Sequence, residues 1–172
     1  MPYKPAHRNG VMRHTSSRRP AYVWSYIYEE DPARMIILIE WSPHPDLDIA
    51  VGFAWGQGVG WNVAQGGPGR QFLAWTTGDN VEGGPERVTV DVAGAIAAGL
   101  ADADGKLRVF ICAGWYTTDA TGGYAGITAT YQGERAERSA SNLPNNNGGP
   151  ATHRVAIAVW DPATSTLTLE AP

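Results

Sequence analysis

The chain has 172 residues, 43% of them hydrophobic and 17% charged, with a formal net charge of −4. That length suits one domain around one core, and the charge content lies below the usual quarter of a globular protein. A single cysteine, Cys112, excludes an internal disulfide and a thiolate metal cluster, and no apolar run is long enough for a bilayer-spanning helix or a cleaved signal peptide. The expectation is a chain without membrane insertion. It would be cytoplasmic, or would leave the cell without a cleaved signal, as a virion component does.

Residues 1–20 contain three prolines, no hydrophobic periodicity and no acid, and read as an extended basic arm preceding a single domain over 21–172. Lys4, Arg8, Arg13, Arg18 and Arg19 give residues 1–28 a charge of +5, whereas the remainder has eight Lys or Arg against 17 Asp or Glu, a balance of −9. Alternation predicts a strand over 21–28, and the run RMIILIEW predicts one over 34–41, buried on both faces for most of its length. SPHPD is a rigid connector into a strand over 47–55, LDIAVGFAW. The Gly-rich GQGVGWNVAQGGPGR is a loop carrying Trp61.

Further strands are expected at 71–77 and 87–92, and AGAIAAGLAD, 93–102, is the one helical segment, weakened by Gly94 and Gly99 by about 1 kcal/mol each. KLRVFICAGWY, 106–116, reads as a central strand and YAGITATYQG, 124–133, as an alternating one. The polar ERAERSASNLPNNNGGPAT reads as a long mobile loop. Segments 153–160 and 165–170 form a hairpin around DPAT. Eight or nine spaced strands without a βαβ rhythm predict an all-β, two-sheet antiparallel β-sandwich, jelly-roll-like in type, with one short helix. Six of the seven tryptophans, Trp24, Trp41, Trp55, Trp75, Trp115 and Trp160, fall in expected strands, where burial is the default.

No nucleophile elbow or zincin motif is present. GLADADGKL has one residue too many for a phosphate loop and reads as an Asp-Gly turn. The four histidines, His7, His14, His44 and His153, are not spaced as metal ligands. No catalytic residues are assigned and no enzyme is expected. Acids do cluster beside strands: Asp46 and Asp48 in PDLD, Asp79, Asn80, Glu82 and Glu86 in TTGDNVEGGPE, and Asp119 in WYTTDATGG. Calcium takes six to eight oxygens in a flexible shell, and Gly83 and Gly84 let the second loop bend to aim carbonyls inward. Solvated turn acids would look the same by spacing alone.

W-x-x-x-x-DLD-x-x-V, then an acidic loop ending GPE before a strand, then RVFICAGWYTTD and GGYAGITATYQG, resembles bacterial β-sandwich domains of the pre-peptidase C-terminal type. The order DLD then GDN-x-x-G…E is also similar to the tellurium-resistance TerD-like domains. The resemblance spans about residues 36–133. In both groups these acids bind calcium, which implies Asp46, Asp48, Asp79 and Glu86 as ligands. Three functional readings follow. The first is a non-catalytic structural or assembly protein, such as a virion coat or decoration component, that self-associates or meets other structural proteins through the arm. The second is a TerD-like cytoplasmic calcium protein. The third is a carbohydrate- or adhesion-type module using Trp61 as a platform for a glycan. Arm cations also suit nucleic-acid phosphates, a weaker alternative.

Overall fold

A computed structural model describes residues 31–42, 46–63, 67–81, 83–116 and 122–172. The basic arm with Lys4, Arg8, Arg13, Arg18 and Arg19, the strand expected at 21–28, and His44, Glu82 and Asp119 lie outside the described residues. The rest forms ten strands in two antiparallel sheets, as the alternating segments predict.

The strands are β1 (Met35–Ser42), β2 (Leu47–Gly52), β3 (Val59–Gly60), β4 (Leu73–Trp75), β5 (Glu86–Val90), β6 (Leu107–Trp115), β7 (Gly122–Tyr131), β8 (Glu134–Leu143), β9 (Arg154–Asp161) and β10 (Thr166–Glu170). One sheet runs β4-β5-β1-β7-β8 and the other β10-β9-β6-β2-β3. Strand side chains alternate between faces, so Met35, Ile37 and Ile39 of β1 meet Leu47, Ile49 and Val51 of β2 and Leu107, Val109, Ile111 and Ala113 of β6 in one core. The opposite face of the second sheet holds a smaller cluster of Ala50, Val63, Cys112 and Ala151, with Trp55 packed against it. Cys112 is therefore a small buried apolar residue.

The segment expected to be a mobile loop is instead largely β8, the edge strand of its sheet, paired with β7 from Tyr131↔Glu134 to Gly122↔Leu143. Its inward residues include Ala136 and Ala140, which pack on the core. Small alanines and a charged outer face conceal the alternation, and charge along a sheet edge also discourages pairing with other chains. Segment 71–77 divides into a 3-10 turn, Arg70–Phe72, and the short β4.

The helix α1 (Val92–Ala97) begins one residue early and ends five residues before the expected 102. Asp91 caps it, its carboxylate accepting from the Gly94 N–H at 2.9 Å. Gly99, at φ 80°, closes it: its N–H donates to the Ile96 carbonyl and the Leu100 N–H to the Ala95 carbonyl, a Schellman stop. GLADADGKL is the expected turn, with the Gly105 N–H donating to the Asp102 carbonyl and Arg108 paired to both Asp102 and Asp104.

Candidate metal centre

Both sheets place loops at one end of the sandwich. There β1 ends at Ser42, β2 starts at Leu47, β4 ends at Trp75, β5 starts at Glu86 and β6 ends at Trp115. Asp46 lies just before β2, Asp48 is its second residue, and Asp79 lies in the connection from β4 to β5. One carboxylate oxygen from each of Asp46, Asp48 and Asp79 lies within 4.8 Å of the other two. Three acids separated by up to 33 residues of sequence thus converge because the two connections cross the same end.

Asp48 is 1% exposed, and across the ladder it faces Gly114 on β6. That glycine is required by a close approach: a Cβ there would lie 2.1 Å from the Asn146 side-chain oxygen. The space admits the Asn146 amide, which donates to Asp48 Oδ2 at 3.4 Å. Asn146 is itself held by its backbone N–H, which donates to the Trp115 carbonyl at 2.7 Å. Asp46 is fixed from the same strand end, its carbonyl accepting from the Tyr116 N–H at 3.3 Å, while its Oδ1 is buried without a hydrogen bond.

Glu86 is not one of the three converging carboxylates, but it stands close enough to feel the charges of Asp79 and Asp48. It is 1% exposed; Oε1 accepts from the Asn80 N–H at 3.3 Å, and the Trp75 indole N–H also donates to the carboxylate. Asn80 follows Asp79 directly, so Glu86 anchors the loop that presents Asp79.

The electrostatics are one-sided. Burial pushes the Asp48 carboxyl up to about 7, against the hydrogen bond from Asn146, and the charges of Asp46 and Asp79 raise it further. Burial pushes Glu86 up to about 8, opposed by the Asn80 N–H and reinforced by Asp79. Asp46 is also raised, by burial and then by Asp79. Among the described residues, no lysine or arginine is among the influences on these three groups. An acidic cluster without an organic counter-charge takes up either protons or a hard cation.

The donor set could hold a hard cation. Carboxylate oxygens suit calcium, magnesium or manganese rather than soft-ligand metals.

Asn146 is the site residue that sequence reasoning misses; its only signal is the run Asn145–Asn147, which spacing does not connect to the acids. Trp61 is 38% exposed and meets Tyr116 edge-on with ring centroids 6.4 Å apart. Trp55 is not in a strand: β2 stops at Gly52, and the indole packs on Phe110 and beneath Arg154. Comparison with protein-family models, curated proteins and solved structures finds no match to this chain.

Proposed function

We propose that this protein is a non-catalytic, calcium-binding β-sandwich whose cation ties the connections of its two sheets together at one end. The supporting observation is the convergence of Asp46, Asp48 and Asp79, with Asp46 Oδ1 buried and without a hydrogen bond. The resemblance to TerD-like and pre-peptidase C-terminal domains points to the same acids and the same ion. The cation supplies no chemistry to a substrate in this reading; it neutralises buried charge and fixes loops. Asp46, Asp48 and Asp79 ligate directly, and Glu86 either completes the shell or holds the Asp79 loop through Asn80.

Isothermal titration of EDTA-treated protein with calcium tests this. The expected result is one saturable site, lost in Asp48→Asn, with thermal stabilisation of about 2.7 kcal/mol at a hundredfold excess over Kd. Absence of both heat and stabilisation rejects the reading.

The charge asymmetry, +5 on residues 1–28 against −9 on the remainder, favours a second, compatible property: self-association through the arm. Removal of residues 1–20 then reduces the particle size measured by light scattering at low salt. An unchanged size rejects it.

A further inference from the structure

The exposed large hydrophobic residues among those described are Trp61, Val81, Tyr116 and Tyr124. All four lie at the acidic end of the sandwich. Trp61 follows β3, Val81 lies in the loop of Asp79, Tyr116 follows β6, and Tyr124 pairs with Ser42 at the end of β1. Surface aromatics gathered around a cation site have a use that scattered ones do not.

The aromatic pair nearest the acids is held in place. Tyr116 donates its backbone N–H to the Asp46 carbonyl, so platform and ligand share one backbone hydrogen bond. Its ring meets that of Trp61 at an interplanar angle of 83°. A Cβ on Gly148 would sit 3.6 Å from the Tyr116 ring, so the ring rests against that glycine, whose N–H donates to the Tyr116 carbonyl at 3.2 Å. Asn62 follows Trp61 directly and Asn147 precedes Gly148; both are exposed and at positive φ. A pair fixed in this way loses little freedom when a ligand packs against it.

We propose that the cation at Asp46, Asp48 and Asp79 and the Trp61–Tyr116 pair form one composite site for a carbohydrate bearing vicinal hydroxyls. The inference rests on the calcium reading above. Three carboxylates fill three of the six to eight positions around calcium when each gives one oxygen, and two neighbouring hydroxyls of a sugar can take two of those left. The electron-rich face of an indole or phenol attracts the polarised C–H face of a pyranose, and asparagine amides serve the remaining hydroxyls. Asp46, one of the three converging acids, has a carboxylate oxygen that is buried without a hydrogen bond, which a patch of solvated acids would not show. A protein partner fits less well. Stable interfaces use about 800 Å² per side with charges depleted at the centre, whereas these apolar groups are interleaved with Asp46 and Asp79.

The test is an array of neutral mannose-, galactose- and fucose-terminated oligosaccharides, probed with the full chain in calcium and in EDTA and followed by titration of the best glycan. The expected result is binding in calcium alone, weakened about tenfold by Trp61→Ala and partly retained by Trp61→Phe. Calcium affinity of Trp61→Ala stays at the wild-type value. Intact calcium binding with no glycan bound overturns this inference and leaves the calcium reading standing. Glycan binding that persists in EDTA, or that Trp61→Ala leaves unchanged, overturns the composite site. Failure of calcium itself to bind removes both.

Discussion

Raising the pH of the metal-free protein should destabilise it, the reverse of ordinary acid denaturation. Asp48 moves from 3.8 to about 7 on folding and Glu86 from 4.5 to about 8. A carboxyl whose pKa is raised by folding binds more protons in the native state than in the unfolded one. Its protonated form is tolerated at low pH, and stability is lost as pH rises through the folded value. Each such rise corresponds to a loss on the order of 4 kcal/mol. The Asp48 charge acts on Glu86, so their effects do not simply add. Taking about 4 kcal/mol for the pair, and 2–4 °C per kcal/mol for a chain of this size, Tm falls by about 10 °C. Calorimetry in EDTA between about pH 5 and pH 8 reads this directly, and saturating calcium flattens the slope because the ion replaces the protons. A metal-free Tm that is constant or rises across that window refutes the account of a buried, uncompensated acidic cluster.

Other substitutions separate the site from the scaffold. Asp48→Asn removes a buried charge while keeping a partner for Asn146, so it raises metal-free stability at pH 8 by roughly 2 kcal/mol in chemical denaturation, while abolishing calcium binding. Gly114→Ala drives a methyl group against Asn146, costing about 1–2 kcal/mol and weakening calcium about tenfold in titration, because Asn146 no longer orients Asp48. Asp91→Ala removes the cap of α1 and lowers stability by about 1 kcal/mol with calcium affinity unchanged, which makes it the control for general destabilisation.

Much of the sandwich is legible from hydrophobic pattern because its central strands are long and apolar. β1 and β6 lie inside their sheets, and the continuous runs MIILI and VFICAGW read as such. β8 is not legible by the same rule, since its inward positions hold the small Ala136 and Ala140 with the charged Arg138 between them. The boundaries of α1 depend on the Asp91 cap and the Gly99 stop, local hydrogen bonds that a hydrophobic count does not weigh. β2 ends at Gly52 rather than running to Trp55, because the chain turns back so closely that a Cβ on Gly52 would lie 2.1 Å from the Gln57 carbonyl.

The acids of the centre are legible in DLD and GDN because carboxylates beside apolar strands need a counter-charge. Their mutual distances are not, and Asn146 reaches Asp48 across 98 residues of sequence through the loop that follows β8. Sequence spacing cannot show that approach; the missing side chain at Gly114 and the backbone hydrogen bond to Trp115 create it.

The most direct test of the central claim is a crystal structure of the protein grown in calcium, with anomalous data collected at long wavelength. The expected result is one strong anomalous peak bonded at about 2.3–2.6 Å to oxygens of Asp46, Asp48 and Asp79. The absence of a peak among those carboxylates at saturating calcium, or a peak bound elsewhere, contradicts it.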